Sequence, residues 1–156
     1  MLQIRYFIFV LCIGILAGCS EAVSPEIALN NLITAGEAAV EARDLAAVMT
    51  LVDPDYTDDH DNGWPQLRRL LAGYFLRHPS IHVISKIDRI KLVSEQEAEV
   101  LIYAGLAGSA QEASGPLAGW RGNLLRLDLV FHLDDDSEWR LFRAAWRPAR
   151  REDFTQ

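Results

Sequence analysis

The chain has 156 residues, half of them hydrophobic, and a formal charge of −7. That length fits one domain with enough chain to bury a sizeable core. The acidic balance argues against nucleic acid as a partner and against direct adhesion to anionic lipid headgroups.

The first segment reads as an export signal. Arg5 lies in a short polar start, an apolar run extends from Tyr6 to Ile15, and Leu16-Ala17-Gly18-Cys19 precedes the polar pair Ser20-Glu21. A positive start, a short apolar stretch and small residues at a cut site are the ordered parts of such a signal. A membrane-spanning helix needs roughly 20 apolar residues, and this run falls short. A buried N-terminal helix would not explain small residues placed before a cysteine. Leu16-Ala17-Gly18-Cys19 resembles the lipobox of bacterial lipoproteins at each of its positions. The resemblance implies diacylglycerol transfer to the Cys19 thiol, cleavage before Cys19 and acylation of the new amino terminus. Residues 1 to 18 are then a signal peptide, and 19 to 24 a lipidated tether. Stable anchoring takes at least two acyl chains, which a modified Cys19 would carry. By the same resemblance, Ser20 favours the outer membrane, facing the periplasm.

Cysteine usage agrees with that reading. Cys12 lies in the leader and Cys19 would be capped by lipid, so the folded part has neither a disulfide nor a thiolate for zinc or nucleophilic chemistry. Cleavage removes Arg5 and no acid, leaving the remainder more acidic by one charge.

The mature chain opens on a strong helix start. Ser24-Pro25-Glu26 offers an N-cap, a proline at the first helical position and an acid at the positive dipole end. Ile27, Leu29, Leu32, Ile33 and Val40 carry the helix to about Ala42. Asp44 caps a short second helix, Leu45 to Val52, which stops at Asp53-Pro54. Residues 53 to 63 read as an irregular acidic loop. A third helix is predicted from Trp64-Pro65 to Arg77, because Leu67, Leu70, Leu71, Tyr74 and Phe75 fall on one helical face.

After Pro79 the apolar period shortens toward two. Strands are predicted at Ile81 to Leu92, Ala98 to Leu106, Asn123 to Leu133 and Glu138 to Trp146. Residues 107 to 121, rich in Gly, Ala and Ser, read as a long hairpin loop, and Asp134 to Ser137 as a turn. In the third strand Leu125, Leu127, Leu129, Phe131 and Leu133 point one way, and Arg126, Asp128 and His132 the other. The pattern is α+β: three N-terminal helices packed on a curved antiparallel sheet of about four long strands.

The segments Glu41 to Met49, Asp55-Tyr56, Leu67 to Phe75 and Trp139 to Arg147 together resemble the nuclear transport factor 2-like superfamily. The similarity covers about residues 26 to 148 and lies in element order and apolar pattern. It implies one domain over residues 25 to 149, a tail over 150 to 156, and a cone-shaped, cystatin-like roll with a cavity open at one end. The superfamily holds isomerases, dehydratases, cyclases and binding subunits, so the fold leaves function open.

The resemblance places the segment after the second helix near the mouth of the cone. Tyr56, Asp58, Asp59, His60 and Trp64 are therefore candidate pocket residues, joined by Tyr74, His82 and Tyr103 if their register turns them inward. A carboxylate beside a tyrosine in an apolar cavity can abstract a proton and stabilise the oxyanion that results. Asp55 to Asp61 reads equally as a solvated loop whose aspartates cap turns. As a calcium loop starting at Asp58 it places Arg69 where a bidentate Glu belongs, and a zinc site would need a second histidine near His60. No metal or other cofactor is assigned. His78, His82 and His132 have no serine or cysteine partner in a recognisable setting, so no catalytic residue is assigned.

Trp120, Trp139 and Trp146 read as core or sheet-face residues. Arg140, Arg143, Arg147, Arg150 and Arg151 make the C-terminal end basic; they balance nearby acids or offer a docking face for an acidic partner. Mixed faces on the last two strands suit a homodimer through the sheet. The reading that follows is a membrane-anchored, non-catalytic module that binds a small apolar ligand or an envelope protein. The alternative is a small-molecule isomerase, dehydratase or hydrolase using a cavity carboxylate or histidine.

Overall fold

The computed structural model describes residues 23–107 and 123–154. The leader, Cys19 and most of the tether lie outside the described residues, as do Trp120 and nearly all of the expected loop at 107 to 121.

Ser24 starts the first helix, α1 (Pro25–Glu41), and its hydroxyl accepts from the Ile27 amide. Arg43 turns the chain in the left-handed region, with φ 55°, and its guanidinium reaches the Phe75 carbonyl at 3.4 Å. Asp44 then caps α2 (Leu45–Thr50) by accepting from Ala47 N at 3.0 Å. The third helix, α3 (Trp64–Arg77), begins on Pro65 at its first turn and ends on His78, as its sequence predicts.

Five strands follow the chain: β1 (Val52–Asp58), β2 (His82–Leu92), β3 (Glu97–Ala107), β4 (Asn123–Leu133) and β5 (Trp139–Pro148). They form one sheet in the order β1-β5-β4-β3-β2, antiparallel throughout except where β1 runs parallel to β5. The strand count corrects the expected four, and β1 corrects the irregular loop expected after Val52. Pro54 lacks an amide donor, which an edge strand tolerates and an inner strand does not. Buried Val52, Tyr56 and Asp58 give the segment the alternation of a half-buried strand.

The buried residues gather in two groups on the helix side of the sheet. Leu29 and Ile33 of α1 pack on Val100, Ile102, Phe131 and Trp139. Met49, Val52, Tyr56 and Ala144 form the second group, with Leu67 and Leu71 of α3 against it. The opposite sheet face is mixed, with Leu101, Tyr103 and Val130 among charged residues. There Arg126 pairs with Asp128 at 2.8 Å, Lys91 with Glu99 at 3.3 Å, and His132 lies between Glu97 and the Phe142 ring. Arg140 joins Asp134 of the last turn to the Thr50 carbonyl at the end of α2. Among the described residues no helix is long and apolar enough to cross a membrane.

Candidate functional site

The two apolar groups do not close on one another. Between them lies a cavity of about 570 Å³, within the size range of small-molecule sites. Leu32, Ile33, Gly36 and Val40 of α1 form one wall, and Leu67, Leu70, Leu71 and Phe75 of α3 another. The sheet supplies the floor through Ile102, Ala104, Leu127, Leu129, Ala144 and Trp146. Polar groups are few along this lining: Tyr56, Tyr74, Arg77, Glu37 and Ser85. Glu37 accepts from the Ser85 hydroxyl, and Glu41 from Val83 N at 2.8 Å, so α1 is tied to the edge strand β2 at one end of the cavity.

Register decides which strand residues face this space. Val83 and Ser85 line it, and on β3 Ile102, Ala104 and Leu106 do so. His82 pairs with Ala107, and Tyr103 with Lys86 and Arg126, on the alternate positions that turn to the other sheet face. Tyr103 packs there against Phe154 of the C-terminal turn, with ring centroids 5.7 Å apart. Of the sequence candidates, Tyr56 and Tyr74 line the cavity; His82 and Tyr103 sit across the sheet from it.

The acidic turn after β1 has a structural task. Asp58 is 7% exposed, and its carboxylate accepts from His60 N at 2.8 Å, Asn62 N at 2.9 Å and the Asn62 side chain at 2.9 Å. Burial pushes its pKa up, but the hydrogen bonds from Asn62 and His60 outweigh burial and hold it below the usual carboxylate range. Such a group is an ionised anchor, not a proton donor poised near neutrality. Asp59 and His60 are exposed and bonded to each other at 2.7 Å. One ligand atom from each of Asp58, Asp59 and His60 fits within a span of 4.8 Å, but both carboxylate oxygens of Asp58 already accept hydrogen bonds in the turn. His60 also stacks on Trp146 at 5.2 Å between centroids, so the turn braces a cavity residue from outside. Trp64 starts α3 and packs on the group around Tyr56.

Tyr56 stands apart. Its side chain is 2% exposed, lines the cavity and, among the described residues, makes no hydrogen bond through its hydroxyl. Burial first, then the charges of Asp58 and Asp59, raise its pKa well above that of an ordinary phenol. It stays protonated and is a donor. Tyr74 is also raised by burial, but it is half-exposed, and its ring leans on His78 at 4.2 Å.

A more open hollow of about 750 Å³, lined by Leu124, Pro148, Ala149, Arg150 and Glu152 among others, borders the ends of β3 and β4.

No protein-family model matches the chain, and no curated protein matches it. Solved structures do. A nuclear transport factor 2-like protein of unknown function from Shewanella oneidensis is similar at TM-score 0.60 and 20% identity, over 79% of this chain and 98% of that one. A ketosteroid isomerase-like protein from Erwinia carotovora atroseptica gives TM-score 0.58 and 12% identity, over 79% of this chain and 95% of the other. A domain of unknown function with a cystatin-like fold from Nostoc punctiforme gives 0.62 and 14%, over 83% and 82%. The fold is therefore of the nuclear transport factor 2-like, cystatin-like kind. At these identities the likeness carries fold alone.

Proposed function

We infer that this protein is a lipid-anchored periplasmic module that binds a small, largely apolar molecule inside the cone, without catalysing its conversion. The observation that carries this reading is the cavity of about 570 Å³, walled by aliphatic side chains from two helices and the sheet. Apolar walls around a space of that size offer a ligand a large hydrophobic surface to cover. Glu37, the carboxylate of the lining, is engaged by the Ser85 hydroxyl, and Asp58 is ionised and engaged in its turn, which takes support from the catalytic alternative. The anchor rests on Leu16-Ala17-Gly18-Cys19 and its flanks.

The test is titration of the full-length chain, held in phospholipid nanodiscs, with a neutral fluorescent dye such as N-phenylnaphthylamine. Saturable binding to one site above the empty-disc blank is expected. Gly36→Phe should weaken it at least tenfold, because a Cβ at Gly36 meets only Leu51 Cδ1, at 3.7 Å, and the ring enters the cavity. Dye binding no stronger than to empty discs, or untouched by Gly36→Phe, contradicts the reading. The anchor is tested separately: Cys19→Ser should leave the membrane fraction without the lipidated, shortened chain. Recovery of an intact leader on the unaltered chain contradicts it.

A further inference from the structure

We propose that Tyr56 is the group that orients the ligand, and that the ligand is an uncharged apolar molecule carrying a hydrogen-bond acceptor such as a carbonyl oxygen. This deepens the binding role inferred above and rests on it.

Tyr56 is the fully enclosed polar side chain along the lining, 2% exposed, and its hydroxyl has no hydrogen-bond partner among the described residues. A hydroxyl shielded in this way costs stability unless something answers it. The other polar groups of the lining are placed differently. Glu37 and Ser85 bond to each other, Arg77 is exposed, and Tyr74 and Trp146 remain partly open to water. A ligand that fills the space therefore meets one deeply buried partner for a polar atom.

Local charge selects the kind of atom. The phenol holds its proton, so it offers a donor to an acceptor. The negative charges of Asp58 and Asp59 act on the same phenol, and they repel an anionic head brought to it. A cationic head would be drawn toward those acids, but Asp58 Oδ1 is taken by His60 and Asn62 and Oδ2 already accepts from Asn62, and an ammonium buried with too few partners is costly. A neutral oxygen acceptor meets none of these penalties. It gains a bond from a donor that folding has already oriented.

A matched set of cage molecules tests this on the full-length chain in nanodiscs: adamantanone, adamantane, adamantanecarboxylate and adamantanamine. Adamantanone should bind about tenfold more tightly than adamantane, and the two charged forms more weakly than the ketone. Its carbonyl stretch should move below its position in hexane when bound. Tyr56→Phe should abolish the tenfold preference and return the stretch to its hexane position, while adamantane binds as before. Equal preference and an unchanged bound stretch in Tyr56→Phe overturn the proposal and leave the cavity reading standing. Tighter binding of carboxylate or amine than ketone overturns the neutral-ligand class. Binding of none of the four to either chain removes the cavity reading itself.

Discussion

Asp58 is taken almost out of water and still kept ionised, because the backbone and side chain of Asn62 and the amide of His60 replace lost solvent. Removing it as Asp58→Ala should destabilise the fold by about 2 kcal/mol, since hydrogen bonds to a charged group are worth roughly 1.5–3 kcal/mol. Its folded pKa is lowered, so its contribution is complete above the unfolded value of about 3.9 and disappears as pH falls through the folded value. Thermal melts across the acid range should show a shallower acid limb for Asp58→Asn than for the unaltered chain. Identical limbs would mean that the carboxylate is not held as described. Tyr56→Phe makes the opposite prediction. Its hydroxyl has no bond to lose, so the melting temperature should stay level or rise; a clear fall would reveal a partner for the phenol.

At the scale of elements, α1 carries a glycine in mid-helix on its cavity side. Gly36→Ala should stabilise by roughly 0.5–1 kcal/mol, because the helix loses less backbone entropy and the new methyl meets Leu51 at ordinary contact distance. Denaturant midpoints measure this directly. Phe131, 2% exposed on the helix side of the sheet, should cost about 3–5 kcal/mol as Phe131→Ala.

The helices and inner strands were legible because each repeats its period over several turns or pairs. The α3 stripe and the β4 alternation from Leu125 to Leu133 leave little room for another reading. β1 was not legible: Asp53-Pro54-Asp55 carries no strand propensity, and a parallel partner as distant along the chain as Leu141 is from Val52 lends no local signal. Two of the eight pocket candidates, His82 and Tyr103, turned on strand register. β2 has isoleucine on both faces, and its register shifts between Ile87 and Arg89, so alternation counted along the sequence loses its phase there. That is why His82 could not be placed without its pairing to Ala107. Tyr56 and Tyr74 enter the candidates through their place after a helix and on the α3 face.

Seen whole, the molecule is a sheet whose apolar face packs on α1 and on α3 in two groups, with the cavity between them. α1 is held to β2 through Glu37 and Glu41, and the Asp58 turn braces Trp146 from the other side. These polar ties at the margins hold the walls in place, so loosening them should weaken ligand binding as well as stability. Glu37→Ala is expected to lower probe affinity several-fold in the nanodisc titration, and unchanged affinity would show that α1 keeps its place without that tie. Methyl-resolved NMR of the full-length chain, recorded with and without adamantanone, addresses the cavity most directly. The methyls of Ile102, Leu127 and Leu129 should shift with saturation, while those of Ile84 and Val130 on the outer sheet face stay still. Shifts confined to Ile84 and Val130, or none at all at saturating probe, would contradict a ligand site inside the cone.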